Sequence, residues 1–215
     1  MVKVKICGIT SLNDALACVK YGADAIGFIL YNKSPRYITP EKIAHIIKRL
    51  PPFIQTVGVF VNVEPDIIKG ILRDTGLNIA QLHGDETPDI CELFPRVIKA
   101  FRVRDIADIE DISKYRASAF LLDTYSVNAY GGTGKKFDWD IVEEAKGFGN
   151  VIVAGGLTPE NVSDVIFQVN PYGVDVSTGV EESPGVKDHG RIKEFIEQVK
   201  TKYKGSRGIH PLAGV

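Results

Sequence analysis

The 215-residue chain has little of what would place it in several common classes. No stretch approaches the roughly 18 consecutive apolar residues of a membrane-crossing helix, so no membrane partner is expected. Neither sign of charge dominates: 26 Lys and Arg stand against 27 Asp and Glu, with no basic cluster. That balance removes the electrostatic footprint of a nucleic-acid binder. Cysteine is scarce. Cys7, Cys18 and Cys91 are odd in number and widely spaced, without a CxxC pair, which argues against a disulfide framework and a cysteine metal site. The N-terminus alternates apolar and basic residues from Val2 to Cys7 and has no continuous apolar run of the kind a secretory leader carries. A reducing, cytoplasmic setting is the expectation.

What is present is ordinary globular composition, 44% hydrophobic and 25% charged. Short runs rich in Val, Ile and Phe predict strands at Val2–Cys7, Ala25–Leu30, Thr56–Val61, Ile79–His83, Val97–Phe101, Ala119–Asp123, Val151–Ala154 and Gly173–Val176. Helical spacing follows each of them, at Asn13–Tyr21, Pro40–Leu50, Pro65–Thr75, Pro88–Phe94, Ile106–Tyr115, Trp139–Lys146, Pro159–Gln168 and His189–Lys202. Strict alternation implies a parallel sheet covered by helices. Eight units in this length match a single-domain α/β chain of the (β/α)8 TIM-barrel class, whose lower size limit is about 200 residues. The expected domain spans residues 1–204, and the Gly-, Ser- and Pro-bearing tail at 205–215 is expected to be mobile. A doubly wound open sheet is the competitor; Cys7-Gly8-Ile9-Thr10 after the first strand is not its glycine fingerprint.

Strand parity adds a deduction. Val2, Val4 and Ile6 share one face, and Lys3, Lys5 and Cys7 the other. In a barrel the second set points inward, where branched apolar residues are usual, so the lysines predict an inner polar network ending at Cys7. On an open-sheet edge the same lysines would lie in solvent.

Function in such barrels gathers at the C-terminal strand ends. The polar residues there are Cys7, His83, Asp123 and Asp175, with Arg36 in the loop after the second strand. Cys7 reads either as a small buried hydrophobe or as a reactive thiol. Asp123 closes an apolar run, where an unpaired carboxylate is costly, and reads as an acid or as a loop cap. Arg36 is a solvated charge or a carboxylate clamp, since its guanidinium fork matches a carboxylate. Three glycine-bearing loops, Gly131-Gly132-Thr133-Gly134, Gly155-Gly156 and Ser177-Thr178-Gly179, converge on the same rim. Exposed backbone N–H groups there predict a phosphorylated small-molecule ligand. No spaced His, Cys and carboxylate set points to a metal.

Taken in order, Lys5-Ile6-Cys7-Gly8-Ile9-Thr10, Ser34-Pro35-Arg36-Tyr37, Gln81-Leu82-His83-Gly84, Leu121-Leu122-Asp123-Thr124, Gly131-Gly132-Thr133-Gly134-Lys135, Ala154-Gly155-Gly156-Leu157 and Asp175-Val176-Ser177-Thr178-Gly179 closely resemble the phosphoribosylanthranilate isomerases of tryptophan biosynthesis. The resemblance runs from Val2 to about Val199 and leaves out the tail. It departs at Val186, which separates Pro184-Gly185 from Lys187-Asp188. It implies an Amadori rearrangement of N-(5′-phosphoribosyl)anthranilate, an aldose-to-ketose isomerisation without metal or organic cofactor. By the same resemblance Cys7 is the general base and Asp123 the general acid. Arg36 then holds the anthranilate carboxylate; Gly132, Gly134, Gly155, Gly156, Ser177, Thr178 and Gly179 surround the phosphate; and His83 and Asp175 line the pocket. The chemistry asks for an ionised thiol, and Lys5 on the same strand face is a source of the positive charge that favours one. Another phosphosugar barrel or a catalytically idle phosphosugar binder is the alternative; the oligomeric state is open.

Overall fold

The computed structural model describes residues 1–124 and 139–205. Eight parallel strands close into one barrel in sequence order: β1 (Lys3–Ile6), β2 (Ala25–Ile29), β3 (Gln55–Phe60), β4 (Ile79–Leu82), β5 (Val97–Val103), β6 (Ala119–Thr124), β7 (Val151–Ala154) and β8 (Gly173–Val176). Closure pairs β1 with β8 in the register Lys5 to Asp175, which excludes the open sheet. Alternation sorts the side chains. Val57, Ile98, Ala100, Ala119, Leu121, Ile152 and Ala154 pack together inside the barrel. Val4, Ile6, Ile26, Phe28, Leu122, Val153 and Val174 meet the helices outside.

The helices are α1 (Leu12–Tyr21), α2 (Pro40–Ile47), α3 (Pro65–Thr75), α4 (Pro88–Cys91), α5 (Asp140–Lys146), α6 (Val162–Val169) and α7 (His189–Gly205). Their ends follow local chemistry. Ser11 Oγ accepts the Asp14 N–H at 3.1 Å to start α1, and Gly22 at φ 93° ends it. Thr39 caps α2 ahead of Pro40 in the first turn. In α7, Ile192, Phe195, Ile196 and Val199 recur at helical spacing and are fully or almost fully buried, so one apolar stripe seals the barrel wall.

Several expectations change. Ile106–Tyr115 is not an α-helix but two 3₁₀ turns, Ile106–Ile109 and Ile112–Lys114. Ile106, Ile109 and Ile112 recur every three residues, the 3₁₀ repeat, and the Asp108 carboxylate draws in the N–H groups of Arg104 and Asp105 at the start. The helix expected at Pro88–Phe94 is a single turn ahead of Pro95. An unanticipated hairpin, β9 (Glu181–Ser183) with β10 (Val186–Lys187), follows β8 and turns at Gly185, φ 83°. Helix α7 continues through Gly205, the first residue of the expected tail; the rest of that tail lies outside the described residues. No helix among the described residues is long and apolar enough to cross a membrane.

The loop from β4 to α4 is tied down by a buried ion pair. Lys99 Nζ lies 2.9 Å from Glu86 Oε2 and donates to the Gly84 carbonyl at 2.7 Å, while Glu86 accepts from the N–H groups of Asn62 and Gly84. Lys99 is 2% exposed and Glu86 3%. Removing one partner leaves the other charge buried alone, which costs about 3–5 kcal/mol. Glu86→Ala is therefore expected to lose stability of that order in urea denaturation. A loss below about 1 kcal/mol would show that the pair does not hold the loop.

Candidate active site

The inner parity of β1 is as the sequence predicts. Lys3 ends at the N-terminal mouth, 2.8 Å from Asp24, but Lys5 is buried and its Nζ lies 3.0 Å from both oxygens of Asp175 on neighbouring β8. Both of Lys5's neighbours on that face matter. Burial opposes its charge, yet Asp175 and the Cys7 sulfur outweigh burial and hold the ammonium above its ordinary range. Burial lifts the Asp175 carboxyl, against the pull of Lys5. The bidentate geometry makes this an ion pair. Gly27 on β2 leaves the room: a Cβ there would lie 2.9 Å from Cys7 Sγ and 3.1 Å from Lys5 Nζ.

Above this layer opens a cavity of about 470 Å³ at the C-terminal mouth, ample for a small ligand. Its wall brings together Cys7, His83, Asp123, Gly155, Gly156, Asp175, Ser177 and Thr178 from the sequence-derived set. Burial pushes the Cys7 thiol up, and the Asp175 charge adds to that, while Lys5 and Lys187 pull it down. Burial thus favours the neutral Cys7 thiol, while Lys5 and Lys187 are the cations positioned to favour its ionisation. Across the wall, His83 Nε2 lies 3.3 Å from Asp123 Oδ2, and Gln81 Nε2 lies 3.0 Å from His83 Nδ1. Asp123 keeps one side open, its side chain 38% exposed.

Thr124 shapes the glycine loop after β7. Its hydroxyl lies 3.0 Å from the Ala154 carbonyl and 3.3 Å from that of Gly155. In a trans peptide the N–H points opposite to the C=O, so the N–H groups of Gly155 and Gly156 turn away from Thr124. Both residues line the cavity, and no described turn or loop hydrogen bond uses their N–H groups or that of Ser177. Gly155 and Gly156 adopt φ 91° and 63°, and a Cβ on Gly155 would run into the Thr124 backbone. On β8's loop, the Ser177 carbonyl accepts from Lys187 Nζ at 3.1 Å and that of Gly179 from Arg191 Nε at 2.9 Å. Ser177 Oγ is buried without a partner. Among the described residues the rim thus gathers donors with no partner, the arrangement an oxyanion needs. Gly132 and Gly134 lie outside the described residues.

Arg36 is placed differently from a free clamp. Its Nε sits 2.8 and 3.1 Å from the two Glu181 oxygens and its Nη2 2.6 Å from one of them, and the side chain is not part of the cavity wall. Glu181 also accepts from Lys187 Nζ at 2.8 Å. Burial opposes the Glu181 charge, but Arg36 and Lys187 hold its carboxyl below the usual range. The described hydrogen bonds of Arg36 leave Nη1 unused. Sequence reasoning missed Glu181 and Lys187 as parts of the site, along with Gln81 and Arg102, which also line or brace it. Gln81 had a signal: it shares inner parity with His83. Among the described residues no group of His, Cys, Asp and Glu is arranged to hold a metal ion.

The family model described as N-(5′-phosphoribosyl)anthranilate (PRA) isomerase matches residues 4–198. The N-(5′-phosphoribosyl)anthranilate isomerase of Geobacter sulfurreducens is 56% identical over 201 residues, covering 93% of this chain and 99% of its own. Among solved structures, the phosphoribosyl anthranilate isomerase of Thermotoga maritima is 48% identical, with a TM-score of 0.86 over 94% of this chain and all of that one. A second such isomerase, 46% identical with a TM-score of 0.85 over 94% of this chain and all of that one, was crystallised with reduced 1-(o-carboxyphenylamino)-1-deoxyribulose 5-phosphate. On these matches the chain belongs to the N-(5′-phosphoribosyl)anthranilate isomerases, the aldose–ketose isomerases of tryptophan biosynthesis.

Proposed function

We propose that this chain converts N-(5′-phosphoribosyl)anthranilate to 1-(2-carboxyphenylamino)-1-deoxyribulose 5-phosphate, with Asp123 as general acid and Cys7 as general base. The observation that carries the reading is the presence of a buried thiol and a half-open carboxylate in the wall of one cavity, beneath a rim whose donors have no partner among the described residues. Asp123 gives its proton to the ring oxygen, and the ribose opens to a Schiff base. The iminium acidifies the C2′ proton, which Cys7 removes as a thiolate; the enolamine then tautomerises to the ketone. Each step needs the opposite protonation state of the two groups at the start: Asp123 protonated, Cys7 ionised.

The 5′-phosphate, with its negative charge, occupies the rim of Gly155, Gly156, Ser177, Thr178 and Gly179, where N–H and hydroxyl donors replace its water. We assign the anthranilate carboxylate to Arg36. Glu181 holds Nε and Nη2 of that guanidinium, leaving Nη1 donors for the ligand. Asp175 acts through Lys5, keeping the ammonium under Cys7.

Lys5 therefore carries a separate expectation. Its charge lowers the Cys7 pKa, so Lys5→Met removes a lowering influence and the thiol ionises only at higher pH. The thiolate is the alkylated species; the pH at which iodoacetamide reacts with Cys7 moves upward in the variant. An unchanged pH profile would leave Lys5 without this role.

The function itself is tested by incubating the protein with N-(5′-phosphoribosyl)anthranilate and separating the products. A ketose 5-phosphate that retains the anthranilate group supports the reading. Free anthranilate alone, formed at the spontaneous rate, contradicts it.

A further inference from the structure

The geometry points to Gln81 as a substrate-binding and positioning residue of this reaction, fixing the His83 ring proton on Nε2 and keeping its own Oε1 for a hydroxyl of the substrate's sugar chain. The role rests on the isomerase reading above.

Gln81 lies on the inner face of β4, two residues before His83, and is 1% exposed. An amide nitrogen only donates, so Gln81 Nε2, 3.0 Å from His83 Nδ1, requires Nδ1 to be the unprotonated ring nitrogen. The neutral ring then carries its proton on Nε2, which faces Asp123 Oδ2 at 3.3 Å. Turning the amide over would demand Nδ1–H and set the Nε2 lone pair against the Asp123 carboxylate. It would also leave both N–H groups of the buried amide without a partner, where the present orientation uses one of them. The consequence for Asp123 is directional. With Oδ2 taken by the ring N–H, the proton that Asp123 later gives up sits on Oδ1, the oxygen left for the substrate.

The other end of the amide is unfinished. Gln81 Oε1 is buried and has no partner. Its register neighbours on β3 and β5 are Val59 and Ile98, which carry no donor. A buried acceptor left unpaired destabilises the free fold, and in a cavity wall it marks a place where a ligand brings the donor. The substrate's free donors are its sugar hydroxyls, since the anthranilate N–H is turned toward its own ortho carboxylate. The amide thus links the sugar to the acid: one end grips a hydroxyl, the other orients His83 and through it Asp123.

The test uses the full chain. Nitrogen-15 histidine spectra of the wild type, assigned by difference with His83→Asn, are expected to show His83 unprotonated at Nδ1 and protonated at Nε2; a ring protonated only at Nδ1 overturns the proposal without any variant. Gln81→Met and Gln81→Glu are expected to lose about tenfold or more in kcat/KM, with Gln81→Met melting no lower than wild type because an orphan acceptor has gone. Activity within about twofold of wild type in Gln81→Met overturns it. Two inhibitors separate the sugar contact from folding: reduced 1-(o-carboxyphenylamino)-1-deoxyribulose 5-phosphate and N-(5-phosphopentyl)anthranilate, which lacks the hydroxyls. Gln81→Met is expected to weaken the first about tenfold and leave the second within about twofold; equal losses overturn the hydroxyl assignment. A wild type that binds neither inhibitor and turns over no substrate would instead sink the isomerase reading, while the ring spectrum still reports on Gln81 and His83.

Discussion

Cys7→Ala is expected to lower kcat by about a thousandfold or more while leaving affinity for a product analogue within a few-fold, because a positioned general base contributes about 10²–10⁴ in rate. No second thiol can replace it. Cys18 packs in the core between barrel and helices, and Cys91 lies in a separate cluster with Phe60, Leu82 and Phe94. Burial pushes those two thiols to about 12 and about 11, and neither lines the cavity, so neither can reach a bound substrate. Burial lifts the Cys7 thiol as well; what sets it apart is its place in the cavity wall, which neither of the others shares. Lys5 lies under it, Lys187 adds a second cation, and Gly8 at φ 76° leaves the room that the Arg36 side chain and Ser177 Oγ occupy. Cys7→Ser separates shape from acidity: it keeps a hydroxyl of similar size whose ionisation is far harder, so its kcat is expected to fall nearly as far. Steady-state kinetics with isothermal titration of the reduced product analogue checks both. A kcat within about tenfold of wild type in Cys7→Ala would remove Cys7 from the chemistry.

Asp123→Asn is expected to cost about 10²–10⁴ in kcat with KM little changed. The amide oxygen of Asn still accepts the His83 N–H, so the packing of the wall survives; what disappears is the transferable proton. Rate loss without affinity loss is the signature of an interaction made only in the transition state. If instead KM rose and kcat held, Asp123 would be a binding group and the acid would have to be sought elsewhere on the rim. The same kinetics measured on His83→Asn should fall between wild type and Asp123→Asn, since that ring only orients the acid.

The barrel was legible because its signals are local. Strand residues alternate inward and outward, helices open on Ser11, Thr39 and Pro65, and each unit is short enough to read alone. Cys7, His83, Asp123 and Asp175 were visible for the same reason, as polar residues at the ends of apolar runs. Parity even put Lys5 inside. Its partner was not readable, since Asp175 is 170 residues away and meets Lys5 only when β8 closes on β1. Arg36 shows the limit more sharply. Its loop was found, but Glu181, 145 residues on, holds the guanidinium, and no spacing announces that pairing. Lys99 and Glu86 carry no signal in the sequence; only folding buries them together beneath the β4–α4 loop. At Ile106–Tyr115 the failure was one of period, a three-residue repeat taken for a helical one.

The central claim, that this chain's thiol and carboxylate isomerise a phosphoribosyl amine, is tested most directly by the fluorescence decay of N-(5′-phosphoribosyl)anthranilate generated in situ, followed with wild type and Cys7→Ser side by side. Decay far above the spontaneous rate with wild type, falling close to that rate with Cys7→Ser, is the result this account predicts. Identical curves with and without the wild-type protein, or equal acceleration by both proteins, would contradict it.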